Sequence, residues 1–103
     1  MKELLRIRDK DELYNLYRLQ ISEKEIRAEI NEIIAENRPN LSRDKPLFVR
    51  LLRIDEIVIF IHRNGVPFGY KLSEELQYRL DRYREELAAE KRFTLKRYKY
   101  REI

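Results

Sequence analysis

Apolar residues recur every three or four positions in two segments near the start of the chain, and this spacing predicts two helices. The first is predicted at about residues 10–19, where an aspartate can cap it. The second begins after Ser22, because Ser22 and Glu25 have the spacing of a capping box. Its isoleucines share one face, and acidic side chains dominate the other. A short helix is also expected at residues 1–8.

The next segment, PLFVRLLRI, is rich in β-forming residues, yet its apolar positions have helical rather than alternating spacing. We therefore predict a helix at about residues 44–54, which Ser42 or Asp44 would cap. Pro46 would lie in its first turn, where the missing N–H is harmless. A strand in this segment is the alternative, and it would remove the basic helix.

Residues 57–63 (IVIFIHR) are β-branched and aromatic, which predicts a strand. Asn64 and Gly65 follow it, and this dipeptide is a strong hairpin signal because both residues tolerate the positive φ of a type I′ turn. A returning strand is predicted at residues 66–72, with Pro67 on an edge. The pattern predicts a two-stranded hairpin.

A last helix is predicted to begin after Ser73, with an apolar seam at four-three-four spacing. The seam consists of Leu76, Leu80, Tyr83 and Leu87. It either covers the core or forms a dimer interface, and we expect a homodimer. From Lys91 onward the helix gives way to a tail of basic and aromatic residues.

Composition and charge favour one ordered domain, residues 1–103, with a partner made of phosphate. Hydrophobic residues make up 43% of the chain, and there is no cysteine for a disulfide or a thiolate metal site. Residues 38–71 carry seven basic and three acidic side chains, and six further basic residues lie between Lys91 and Arg101. The alternative is a solvated, ion-paired surface of the kind found in thermophiles.

The sequence predicts neither an enzyme nor a membrane protein. The only histidine, His62, excludes a His-rich zinc site, and there is no Gly-rich phosphate loop. Asp55 and Glu56 are a weak metal candidate, so we expect no metal, cofactor or small-molecule ligand. The charged N-terminal stretch is unlike a signal peptide, and the longest apolar run, residues 57–61, is too short for a bilayer. We therefore expect a soluble, cytoplasmic protein.

The order of these elements resembles a winged helix-turn-helix domain across residues 10–75. ISEKEIRAEI looks like the first helix of the helix-turn-helix pair. FVRLLRIDEIVIFIHRNGVPFGYKLSEEL looks like a recognition helix that runs into a wing. The resemblance implies an α+β, mainly α fold with a two-stranded hairpin wing and a long C-terminal helix.

The resemblance further implies a double-stranded DNA-binding protein and a transcriptional regulator. Its 44–54 helix would lie in the major groove, where arginine can bond guanine or phosphate, and the wing would approach the backbone. The expected contacts are Arg43, Lys45, Arg50, Arg53, His62, Arg63, Asn64 and Lys71. The tail would add Lys96 and Arg97, because basic residues beside aromatic ones suit nucleic acid.

Two alternatives stay open at this point. The arginines can instead pair with the many glutamates of the helix that follows Ser22. The chain can also be a protein-interaction module, such as a small phage or viral inhibitor or adaptor, with no nucleic-acid binding. The hairpin edge or the Leu/Tyr seam would then be its contact surface.

Overall fold

A computed structural model describes the fold of residues 1–101 and the side chains of residues 1–91. The chain is α+β and mainly helical, as predicted. A 3₁₀ helix at Lys45–Phe48 separates the second and third α-helices. The other elements, in chain order, are β1 (Lys2–Leu4), α1 (Lys10–Tyr17), α2 (Glu23–Asn37), α3 (Ile54–Asn64), β2 (Tyr70–Leu72) and α4 (Glu74–Arg101).

Three of the five predicted helices are confirmed, and local capping determines where they begin. The Asp9 carboxylate accepts a hydrogen bond from the backbone N–H at position 12. The Ser22 hydroxyl accepts from the N–H of Glu25 at 3.3 Å, and the Ser73 hydroxyl accepts from that of Leu76 at 3.2 Å. These bonds satisfy N–H groups that the first turn of a helix leaves without partners.

The hairpin prediction is wrong at its first strand, because Ile54–Asn64 is helix α3. β-branched residues lower helix propensity by only a few tenths of a kcal/mol each, about 0.7 kcal/mol at most. Burial against α2 and α4 outweighs this cost, since Ile57, Phe60 and Ile61 are almost completely buried. The Gly65 N–H makes the last helical bond of α3, to the Ile61 carbonyl, and the positive φ of Gly65, 83°, then ends the helix.

The returning strand of the predicted wing has a different partner. β2 pairs in parallel with β1, and Leu4 lies opposite Leu72. Residues 2–4 therefore form a strand where a short helix was expected. A parallel pair cannot be joined by a tight turn. Here the connection between the two strands along the chain contains α1, α2 and α3. No hairpin wing is formed within residues 1–91.

The basic helix predicted at residues 44–54 is also wrong. Only the 3₁₀ turn has helical backbone, and Leu51 makes a single antiparallel bridge with Asp9. The Arg50 carbonyl accepts from the N–H of Lys10 at 3.0 Å, and the Leu52 N–H donates to the carbonyl at position 8. Hydrogen bonds to the segment before α1 thus replace the bonds that a helix would have made.

One apolar core lies between the four helices. Tyr17 and Phe60 meet edge to face at 4.9 Å between ring centroids, and the Tyr17 hydroxyl donates to the Gly65 carbonyl at 2.7 Å. Leu76 and Leu80 of the predicted seam are buried in this core, whereas Tyr83 and Leu87 are half-buried. The start of the seam therefore covers the core.

Candidate functional site

Residues 38–53, which we call the connecting loop, join α2 to α3 and are fixed by a buried ion pair. The Glu56 carboxylate is fully buried and accepts from Arg38 Nη2 at 2.6 Å and Arg38 Nε at 2.9 Å. It also accepts from Asn37 Nδ2 and from the backbone N–H of Arg53. Arg38 in turn donates to the Leu51 carbonyl at 3.0 Å. Both ends of the loop are thereby tied to α3.

The hydrogen bonds to Glu56 also determine its ionisation. Burial alone raises the pKa of a carboxyl group, because it disfavours the charged form. The bonds from Arg38, Arg53 and Asn37 favour the carboxylate and outweigh burial, so the pKa of Glu56 lies below its ordinary value. Glu56 is therefore an ionised structural residue. The weak metal candidate suggested by Asp55 and Glu56 includes this carboxylate, which bonds Arg38, Asn37 and the Arg53 backbone.

Lys10 fixes the middle of the connecting loop. Its ammonium donates to Asn31 Oδ1 at 2.6 Å and to the Pro46 carbonyl at 2.7 Å. The residue is only 8% exposed, and among the described residues no carboxylate forms an ion pair with it. Burial lowers the pKa of Lys10, and the positive charges of Arg27 and Arg38 lower it further.

Three large apolar side chains on this fixed loop point into solvent. Leu47 is 66% exposed, Phe48 is 78% exposed and Leu51 is 71% exposed. We call these three residues the loop patch. Removing apolar area from water contributes about 25 cal/mol per Å², so covering the loop patch with another surface would be favourable. Several exposed large apolar residues close together in sequence on an ordered segment are typical of an interaction surface.

A cleft of about 240 Å³ adjoins the loop patch at Leu47. Its wall contains three cations, two carboxylates and a tyrosine. The Arg27 guanidinium lies over the Tyr14 ring, 5.6 Å from its centroid. Arg50 and Asp11, which both line the cleft, approach to 3.7 Å. The lining residues are Asp9, Lys10, Asp11, Tyr14, Arg27, Asn31, Leu47, Val49 and Arg50.

A second cleft, of about 350 Å³, lies between α3 and α4. Val58, Ile59 and Tyr83 give it an apolar floor, while Arg79 and Glu86 are among the charged residues around it. Its mixed charge and open shape select no ligand class.

Several of the predicted DNA contacts are bonded to other parts of the protein. Arg63 lies on α3 and faces three glutamates of α2, Glu29, Glu32 and Glu36, at 3.5 to 4.0 Å. Arg50 pairs with an aspartate, as described above. For Arg63 the geometry is that of the alternative in which arginines pair with glutamates of α2, whereas the partner of Arg50 lies on α1.

The residues predicted at the wing tip lie instead on the last turn of α3. His62 Nδ1 accepts from Arg84 Nε at 3.1 Å, and its ring meets Tyr83 edge to face. Asn64 Nδ2 donates to the Phe60 carbonyl at 3.0 Å. These side chains stabilise the helix end and its contact with α4.

The remaining predicted contacts are exposed. Arg43, Lys45 and Arg53 lie on the connecting loop, and Lys71 lies on β2. None of these four side chains forms an ion pair with a residue whose side chain the structure describes. The side chains of Lys96 and Arg97 lie outside the described part of α4.

Sequence reasoning missed the residues that define this site. Lysine is almost never buried, so nothing in the sequence marked Lys10 as an interior residue. Leu47 and Leu51 were assigned to the apolar face of the helix predicted at residues 44–54. The helical spacing of the apolar positions in this segment gave no indication that these side chains are exposed.

Comparison with known proteins identifies no family for this chain. No protein-family model matches the chain, and no curated protein or solved structure matches it either.

Within residues 1–91, no group of three or more histidine, aspartate or glutamate side chains could hold a metal ion. No helix in the described part of the chain is both long enough and apolar enough to cross a bilayer.

Proposed function

We propose that the protein is an interaction module that binds another protein through its connecting loop. The observation that carries this proposal is the loop patch: three large apolar side chains, each at least 66% exposed, on a backbone held by hydrogen bonds from the Lys10 and Arg38 side chains. An apolar loop that is already ordered loses little conformational entropy when it binds. Phe48, the most exposed of the three at 78%, has the rigid aromatic character typical of interface hot spots.

Affinity capture with matched variants tests this proposal. The wild-type protein is compared with the double variant Leu47→Ser/Phe48→Ser and with the control Leu19→Ser, which changes a leucine that is 85% exposed elsewhere. A partner identified by mass spectrometry is purified and titrated by calorimetry. We expect the double variant to weaken binding at least tenfold and the control to bind as the wild type does. Equal affinities for all three proteins would contradict the proposal.

Self-association is measured separately. Sedimentation equilibrium of the wild type and the double variant shows whether a second copy of the chain covers the loop patch. A dimer that the double variant abolishes would make the partner a second copy. A dimer that both proteins form would place the predicted homodimer interface on another surface.

A second candidate function is double-stranded DNA binding, and by extension transcriptional regulation. The observation that favours it is the charge of the end of α4. Residues 91–101 contain six basic and no acidic side chains, and α4 extends to Arg101. Because residues 44–54 are not a helix and α3 is largely buried, this candidate assigns the DNA contact to α4 instead of a winged helix-turn-helix recognition helix.

Fluorescence anisotropy with a labelled duplex at two salt concentrations tests the second candidate. Phosphate contacts release counterions, so the affinity should fall steeply as salt rises. Lys96→Ala/Arg97→Ala should weaken binding, whereas Arg43→Ala/Arg53→Ala on the connecting loop should leave it unchanged. A duplex affinity that is unaffected by the first double variant would exclude this assignment.

A further inference from the structure

The cleft beside the loop patch contains a buried positive charge that has no carboxylate partner. The Lys10 ammonium has three N–H donors, and two of them are used by the uncharged oxygens of Asn31 and Pro46. Buried charges in proteins are ordinarily paired, because desolvation makes an unpaired charge costly. No described carboxylate supplies that pairing. The site therefore has an unmet preference for an anion.

The other charged groups around the cleft strengthen this preference. Arg27 lines the cleft, but its carboxylate partner, Glu23, is not among the lining residues. The two carboxylates in the wall are already used: Asp9 caps α1, and Asp11 faces Arg50. An arriving anion would find the Lys10 ammonium without a carboxylate partner, and Arg27 paired only with a carboxylate outside the lining of the cleft.

The same wall limits the kind of anion. Asp9 and Asp11 would repel a doubly charged phosphate more strongly than a singly charged carboxylate. Leu47 and Val49 form part of the wall, so an anion that carries apolar groups is favoured over a free inorganic ion. Leu47 also belongs to the loop patch, which makes the cationic cleft and the apolar patch one continuous surface.

We propose that the cleft binds an aspartate or glutamate side chain of the partner protein, and that apolar residues next to it in the partner pack on Leu47 and Phe48. This inference rests on the proposed function, since it assigns the chemistry of the partner for the same loop. The partner segment is thus an acidic, apolar peptide. Its carboxylate provides specificity through Lys10 and Arg27, and its apolar residues provide buried area.

Selection from a random peptide library displayed on phage tests the inference on the full chain. Selected peptides are synthesised, labelled and titrated by fluorescence anisotropy against the wild type and three variants. Phe48→Ser removes the most exposed side chain of the loop patch, and Arg27→Gln removes a cation of the cleft. Arg79→Gln is the matched control, because Arg79 also pairs with a glutamate four residues earlier in its helix but lies outside this cleft.

The expected result has three parts. Peptides whose binding depends on Phe48 should contain an acidic residue beside leucine, isoleucine or phenylalanine. Exchanging that acid for its amide should weaken binding at least tenfold. Arg27→Gln should weaken the acidic peptide several-fold and leave the amide peptide unchanged, whereas Arg79→Gln should affect neither. Lys10→Met, with its fold checked by circular dichroism, should give the same selective loss as Arg27→Gln.

Two different results would overturn the inference, and they are distinguishable. Peptides that depend on Phe48 but bind equally well as acid and amide would refute the carboxylate site and leave docking on the connecting loop intact. If no selected peptide depends on Phe48, both the carboxylate site and the proposed docking surface are refuted.

Discussion

Replacing Glu56 with glutamine should show how strongly the buried ion pair holds the connecting loop. Glutamine keeps the size of the side chain but removes the negative charge, which leaves Arg38, whose side chain is 17% exposed, without its counter-ion. Breaking a buried pair in this way costs about 3–5 kcal/mol. Since the amide oxygen of glutamine can still accept one or two of the four hydrogen bonds, we expect a loss of about 3 kcal/mol.

Urea unfolding followed by circular dichroism measures this loss as a lower midpoint with an unchanged slope. Arg38→Met and the double variant complete a mutant cycle, in which the double variant should lose less than the sum of the two single losses. A loss below about 0.5 kcal/mol for Glu56→Gln, as is usual for surface changes, would refute the structural role assigned to the pair.

The pH dependence of stability gives an independent check on the same residue. The pKa of Glu56 is lowered in the folded state from its ordinary value of 4.5. The stabilisation it provides is therefore complete above that value and is lost as the pH falls towards the folded-state pKa. The difference in unfolding free energy between wild type and Glu56→Gln should be constant near neutral pH and should shrink below about pH 4.5.

Three further changes test the local structure, each by urea unfolding. Ser22→Ala removes the cap of α2 and should cost about 1 kcal/mol, whereas Ser42→Ala, in the exposed loop, should cost almost nothing. Tyr17→Phe removes the hydroxyl that donates to the Gly65 carbonyl and should lower the free energy of unfolding by about 1–3 kcal/mol. An unchanged free energy would mean that water replaces this bond. Gly65→Ala should lower the free energy of unfolding by about 1 kcal/mol, because alanine disfavours the positive φ at this position. The added Cβ would meet no neighbouring atom, so no steric clash contributes. A stabilising effect would contradict the assigned C-cap.

The parts of the fold that could be predicted are those whose signals are local. Ser22 and Ser73 cap their helices within three residues, so the sequence alone identified where α2 and α4 begin. Residues 57–63 were misassigned because α3 is buried on most sides. A helix of this kind has a continuous apolar run that periodicity cannot distinguish from a buried strand. Asn64 and Gly65 suit a helix end as well as a hairpin turn, and only tertiary packing decides between them.

The candidate site could not be predicted, because its bonds join residues that are distant in sequence. The Lys10 ammonium bonds a carbonyl 36 positions away, and Glu56 is paired with an arginine 18 positions earlier. Local propensity carries no information about such partners. The sequence did anticipate that glutamates of α2 could neutralise arginines, and Arg63 shows this directly.

The parallel pairing of β1 with β2 has a consequence for the order in which the protein assembles. Each residue of β1 lies opposite a residue 68 positions later, and the Leu4 carbonyl accepts the N–H of Ser73. During synthesis β1 therefore exists without a partner until α1, α2 and α3 have been made. Closing so long a loop is entropically costly, so we expect β1 to dock late, after the helical core has formed. In kinetic terms, the first strand of the chain becomes one of the last to fold.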